Sequence, residues 1–223
     1  LYKNDMFDGN IYSSKFVNDA WTPIVRLNKN INTKFYESHA SVSADGKRLF
    51  FTSNREGGQG GLDIYMSEKD AAGEWGVPVN LGTTVNTPYN EDYPFITAND
   101  SLIFFCSEGH RSMGGYDIFR SRKTAGGWSS PENLGYPVNS TDDDRFFQPA
   151  LNGMTAFYSM KTDYKKKEIF YIGLGGVDVN QIYEIAGNMK LNDTAYADKK
   201  DYRVFILDRQ SGDTLYRQAP DKK

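Results

Sequence analysis

Asp142-Asp143-Asp144 is the densest set of hard oxygen ligands in the chain. Three carboxylates on one loop could hold calcium, which takes about six to eight oxygens, but an exposed loop between two strands usually has this composition too. His39 and His110 are the only histidines, and a zinc centre needs several converging ligands. Gly57-Gly58-Gln59-Gly60-Gly61 lacks the Lys-Ser/Thr of a phosphate-cradling loop and reads as a connection between strands. Gly109-His110-Arg111-Ser112-Met113-Gly114 has the wrong spacing for a Gly-x-Ser-x-Gly nucleophile elbow. Cys106 is the lone cysteine, which leaves no internal disulfide and no multi-cysteine metal site. It falls in an apolar strand and reads as an inert buried thiol. Lys165-Lys166-Lys167 could touch an anionic partner, but reads first as a solvated turn. No catalytic residue, metal site or cofactor emerges from these groups.

The elements that carry them are strands. Aromatics make up 14% of the 223 residues and Gly contributes 21, a mixture that favours strands and tight turns. The formal charge of −3 gives no nucleic-acid footprint and no broad attraction to an anionic membrane. No apolar run is long enough for a transmembrane helix. Leu1-Tyr2-Lys3-Asn4-Asp5 lacks the basic start and apolar stretch of a signal peptide.

The anchors recur in fixed order. Phe51-Thr52-Ser53 returns as Phe105-Cys106-Ser107 and as Phe157-Tyr158-Ser159. Asp63-Ile64-Tyr65 returns as Asp117-Ile118-Phe119 and as Glu168-Ile169-Phe170, and Asn10-Ile11-Tyr12 foreshadows it. Trp21, Trp75 and Trp128 each precede a tail: Leu27 with Ile31-Asn32, Leu81-Gly82 with Val85-Asn86, and Leu134-Gly135 with Val138-Asn139. Equivalents lie 53 or 54 residues apart, slightly fewer in the last unit.

In the unit starting at Glu37, four short strands are predicted: Ala40–Ser43, Arg48–Ser53, Leu62–Ser67 and Trp75–Leu81. Turn residues separate them. Short strands repeated at this period predict the radial sheets of a β-propeller rather than a solenoid. The aromatic triplets and the tryptophans are then the packing between units.

Phe51-Thr52-Ser53-Asn54-Arg55-Glu56-Gly57 followed by Asp63-Ile64-Tyr65 resembles the TolB-type, WD-like propeller repeat. The second unit keeps Ser107, Gly109 and Asp117-Ile118-Phe119, with His110-Arg111 shifted. The third replaces the Gly-rich loop with 162–167. The tail Trp75-Gly76-Val77-Pro78-Val79-Asn80-Leu81-Gly82, repeated over 128–135, resembles the version in OmpA-family lipoproteins of Bacteroidetes. These include the PorE-like component of the type IX secretion system. The resemblance covers roughly residues 7–173. It implies a periplasmic, outer-membrane-associated scaffold that binds protein partners in the envelope. It also implies that peptidoglycan is reached through a separate OmpA-like domain outside this chain.

The expected fold class is all-β: a propeller of four-stranded blades followed by the start of a β-sandwich. The propeller region is expected over 1–176, in units of about 1–36 (partial), 37–90, 91–144 and 145–176 (partial). Beyond Gly173-Leu174-Gly175-Gly176 the pattern changes. Gln181–Leu191 and Asp201–Asp208 read as strands, and 209–213 as a hairpin turn before Thr214–Gln218. Ile185-Ala186-Gly187 and Val204–Asp208 with Ser211-Gly212 resemble the opening of a carboxypeptidase-regulatory-like sandwich. Residues 177–223 hold only part of a domain that typically runs to about 100 residues, so truncation is expected at both ends.

In a four-stranded meander the second-to-third-strand loops and the unit-to-unit loops emerge at one end. These are 54–61, 82–92, 108–115, 135–145 and 161–167, and long loops on a rigid scaffold are where binding resides. The partner-binding candidates are therefore Arg55, Glu56, Tyr89, Glu91, Asp92, His110, Arg111, Asp142, Asp143, Asp144 and Arg145. A non-catalytic protein-interaction platform is the first reading. The alternatives are a glycan- or ion-binding lectin-like propeller, or the propeller of a hydrolase whose catalytic domain lies elsewhere. Exposed loop aromatics would favour the lectin, and a continuous charged rim a protein partner.

Overall fold

Successive residues of a strand point to opposite faces. In Arg48-Leu49-Phe50-Phe51-Thr52-Ser53 both sets are apolar at the centre, so the strand must be covered on both sides. A computed structural model describes residues 9–150, 153–163, 166–174, 204–207 and 214–218. Its described elements are all β.

Residues 9–36 carry β1 (Tyr12–Ser13), β2 (Phe16–Val17), β3 (Ala20–Trp21) and β4 (Val25–Arg26). β1 pairs with β4 and β2 with β3, both antiparallel. The next sheet holds β5 (Glu37–Val42), β6 (Arg48–Ser53), β7 (Asp63–Glu68) and β8 (Val79–Asn80), side by side in chain order. β9 (Glu91–Ile96), β10 (Leu102–Ser107), β11 (Asp117–Thr124), β12 (Gly127–Trp128) and β13 (Glu132–Asn133) repeat that meander, with β12 and β13 both pairing along β11. β14 (Phe147–Pro149), β15 (Thr155–Asp163) and β16 (Lys166–Gly173) form a third antiparallel sheet.

The chain divides into two compact units, Leu1–Val177 and Asp178–Lys223. In the second, β17 (Val204–Leu207) and β18 (Thr214–Gln218) pair antiparallel. The strand expected over Gln181–Leu191 lies outside the described residues.

The sheets of the first unit stack face to face. On β6, Leu49 and Phe51 pack with Ile31, Tyr65 and Trp75. Phe50 turns the other way, joining Ile64, Ile96, Ile103, Phe105 and Phe119. On β10, Ile103 and Phe105 face back into that cluster. Leu102 and Phe104 face forward onto Ala156 and Leu174, and Cys106 packs with Tyr116, Ile118 and Val138. First strands lie close together. β9 rests against β5 and β6, Ile96 N donates to Ser41 Oγ at 3.1 Å, and Arg48 pairs with Asp100.

The fourth strand departs from expectation. Trp75–Leu81 reduces to β8 plus an isolated Lys69–Trp75 bridge. Pro78 brings no N–H to a ladder, and Pro131 likewise interrupts the run between β12 and β13. Side chains compensate. Asn32 Oδ1 accepts from Ile11 N at 2.6 Å and Asn32 Nδ2 donates to Ile11 O at 2.8 Å. Asn86 makes the same pair of bonds with Ile64, at 2.8 and 3.0 Å. Asn139 makes it with Ile118, at 2.8 and 2.9 Å. One buried amide per unit thus mimics a strand neighbour and ties the tail to the third strand.

Candidate interaction face

Each unit enters its first strand through a hydroxyl residue followed four positions later by an acid. Glu37 accepts from Thr33 N at 2.9 Å and Thr33 Oγ1 at 2.6 Å. Glu91 accepts from Thr87 N and Thr87 Oγ1, both at 2.7 Å, and from Ser107 Oγ at 2.7 Å. Asp144 accepts from Ser140 N at 2.6 Å and Ser140 Oγ at 3.0 Å. Glu91 and Asp144 are buried, so their carboxylates close their own loops and present nothing to a partner. That corrects the expectation for both. Burial pushes each acid above its ordinary value, against the Thr87 and Ser140 hydrogen bonds that pull it down.

Arg55 also works inward. Its guanidinium donates to the carbonyls of Asn30 and Ile31 at 3.1 and 2.7 Å, meets Glu37 at 3.4 Å, and lies over the Phe51 and Tyr65 rings. The second unit places His110, not Arg111, in the corresponding position. His110 Nε2 bonds Val85 O at 2.8 Å, which requires the proton on that nitrogen, and the ring packs on Phe105 and Phe119. Val85 is the counterpart of Ile31, so both side chains staple a loop of one sheet to the next. Asp92 is buried as well, 2.8 Å from His39 Nδ1.

Of the loops expected at one end, 54–61, 82–92, 108–115 and 135–145 meet in neighbouring pairs. Gly61 N donates to Tyr89 O at 2.8 Å and Glu108 N to Asn90 O at 3.1 Å. Tyr116 N donates to Asp143 Oδ1 at 3.2 Å, and Asp144 N to Tyr116 O at 2.7 Å. Contact is close enough to demand glycine. A Cβ on Gly60 would lie 2.0 Å from Tyr89 O, and one on Gly114 2.5 Å from Asp142 O.

The candidates left outward on this end are Glu56, which pairs with Lys34 at 3.6 Å, then Tyr89, Arg111, Asp142, Asp143 and Arg145. Asp143 pairs with Arg145 at 2.8 Å, and the Arg145 guanidinium lies 4.0 Å from the centre of the Tyr116 ring. Asp143 and Asp144 therefore serve different partners. Among the described residues no three His, Cys, Asp or Glu side chains are grouped to hold a metal ion.

Sequence reasoning missed an aromatic row. His39, Tyr93 and Phe146 occupy equivalent positions: His39 stacks on Tyr93 with centroids 3.7 Å apart, and Tyr93 meets Phe146 at 6.4 Å. His39 and Tyr93 have positive φ, 33° and 52°, at irregularities in the β5–β6 and β9–β10 ladders. Such bulges re-aim side chains. The repeat spacing was the signal that could have found the row. Tyr136 and Met113 are further exposed apolar residues in these loops.

No family model matches the chain, and no curated protein matches it. Solved structures similar to it include TolB from Acinetobacter baumannii, with TM-score 0.48 and 15% identity over 75% of this chain and 36% of that one. A second is the "putative TolB" from Agrobacterium tumefaciens, with TM-score 0.47 and 19% identity over 73% of this chain and 57% of that one. The chain thus spans about a third of the length of the first and just over half of the second.

Proposed function

We propose that residues 1–176 are part of a β-propeller whose loop end docks a protein partner in the bacterial cell envelope, without catalysis. The stacked sheets are its blades, with first strands innermost, and residues 177–223 open a β-sandwich. One observation carries the docking surface. Tyr89, Tyr136, Phe146 and Met113 stand exposed on loops that hydrogen bonds hold together, among Arg111, Asp143 and Arg145. Aromatics, Met and Arg are the residues enriched where proteins bury each other. Charges of both signs suit a protein better than a polyanion.

The resemblance of the Trp-to-Gly tail to OmpA-family lipoproteins supports a periplasmic place beside the outer membrane. There the scaffold would link a secretion or other envelope complex to peptidoglycan through a separate domain. The exposed aromatics also suit a glycan, the second reading.

Cross-linking and pull-down from envelope extracts should lose the partner when Tyr89→Ala and Phe146→Ala are combined. The opposite-end changes Asp45→Ala, Lys47→Ala and Lys123→Ala should leave it. Loss only with the opposite-end set, both variants being folded, would overturn the assignment of the face. Retention on immobilised glycan that depends on Tyr89 and Phe146 would favour the second reading.

A further inference from the structure

Where the tail of the second sheet meets the loop leaving the first lies a cleft of about 450 Å³. Thr83 and Thr84 line it from the loop, Ser130 and Pro131 from the tail, and Arg111 from the β10–β11 connection. The equivalent junction one unit earlier is filled. There Asn28 Nδ2 and Asn30 Nδ2 both donate to Trp75 O, at 2.9 and 2.7 Å, and Arg55 reaches two carbonyls of the loop.

The counterparts of Asn28, Asn30 and Arg55 are Gly82, Thr84 and His110. Each is shorter, and His110 reaches only Val85 O. Three truncations at one junction leave the space open.

The second unit also inserts one residue between Ser107 and His110 relative to Ser53 and Arg55, and Arg111 follows. Asn133 Nδ2 donates to Arg111 O at 2.9 Å, which fixes the backbone from which the guanidinium projects. Among the described residues that guanidinium has no ion pair or hydrogen bond, and the hydroxyls of Thr83, Thr84 and Ser130 are likewise unengaged. Asp117, behind Asn133, already accepts from Met113 N at 2.6 Å and Asn133 Nδ2 at 2.7 Å.

We propose that this cleft binds a carboxylate group, with Arg111 pairing to both oxygens and the Thr84 and Ser130 hydroxyls meeting adjoining polar atoms of the ligand. The planar guanidinium fork matches a carboxylate in two parallel hydrogen bonds. A single free cation suits one carboxylate rather than a polyanion. The volume falls within the range of roughly 300–1,000 Å³ usual for small-ligand sites. The carboxylate can come from an acidic side chain of a peptide or from a small free acid. The cleft shares Arg111 with the proposed docking surface, but the two fail separately, because the test of that surface replaces Tyr89 and Phe146 and leaves Arg111 in place.

The full chain, isotope-labelled, is titrated by NMR with acetyl-Gly-Glu-Gly-amide, with succinate, and with the neutral acetyl-Gly-Gln-Gly-amide. The amides of 83–84, 111 and 130–133 are expected to shift with a carboxylate probe and not with the glutamine peptide. The tighter of the two acids names the source. Arg111→Ala should weaken binding about tenfold, the loss of a charge-assisted pair. Thr84→Asn, which restores a side chain of the filled junction, should weaken it while Arg111 is intact. The proposal is overturned if neither acid shifts these amides, if the glutamine peptide binds equally well, or if folded Arg111→Ala and Thr84→Asn both bind as the parent does.

Discussion

Glu37, Glu91 and Asp144 show how a charged side chain in a loop can belong to the interior. Each caps the N–H and hydroxyl of the residue four positions earlier. Glu37 has the Arg55 guanidinium beside it, whereas the second unit replaces that cation with His110, turned to Val85 O. Burial therefore dominates at Glu91 and raises its pKa. The folded protein holds this proton more tightly than the unfolded chain, whose glutamate titrates near 4.5. The stability linked to Glu91 is full below that value and is lost as pH rises through the folded one. Glu91→Gln removes the titration. Its cost in urea denaturation is expected to be larger near the ordinary glutamate value and to shrink toward neutral pH. A cost that grows toward neutral pH would mean that the site favours the ionised form. The spacing Thr33/Glu37, Thr87/Glu91 and Ser140/Asp144 was legible in the sequence, but charge alone had pointed outward.

The strand elements were more legible than their edges. β6, β7, β10 and β11 fall where the aromatic triplets and the Asp-Ile-Tyr/Phe segments predict them. The outer strand does not, because a proline interrupts it and the buried asparagine takes over part of its pairing. Propensity read residue by residue does not register a side chain standing in for a backbone. Asn86→Ala would leave the Ile64 N–H buried without its partner, whereas Ile64 O keeps the Leu81 N–H at 3.1 Å. An orphaned buried group costs about 1–3 kcal/mol, and a loss of that size is expected in chemical denaturation. A loss below about 1 kcal/mol would show that the tail is held without the amide.

At the largest scale, stacking governs the first compact unit. β6 and β10 are covered on both faces by neighbouring sheets, whereas Phe16, Trp21, Ile24 and Val25 on one side and Phe157, Ile169 and Tyr171 on the other remain open. Trp21 is 71% exposed and Trp75 9%, although their sequence settings are equivalent. Acrylamide should therefore quench Trp21 most strongly. Trp21→Phe is expected to remove that component and to change stability by less than about 0.5 kcal/mol, as for other exposed sites. Unchanged quenching in Trp21→Phe would show that residues 9–36 are shielded in solution.

By itself the sequence determined the repeat, the β class and the loops that share one end. Those follow from residue type and chain order, since alternation sets the two faces of each strand and a meander sets the end from which each loop emerges. Only the tertiary structure decided which loop side chains are available. Arg55, Glu91, Asp92, His110 and Asp144 are spent on bonds within and between units, whereas Tyr89, Arg111 and Phe146 stand at the surface. The reason is physical: a polar side chain turns inward when the fold brings unpaired backbone groups within its reach. For Arg55 and His110 those groups are carbonyls 24 and 25 residues away. The same reach decided the cleft at Arg111. Gly82, Thr84 and His110 stand in the sequence as shorter counterparts of Asn28, Asn30 and Arg55, but it took the packed junction to make those differences a space.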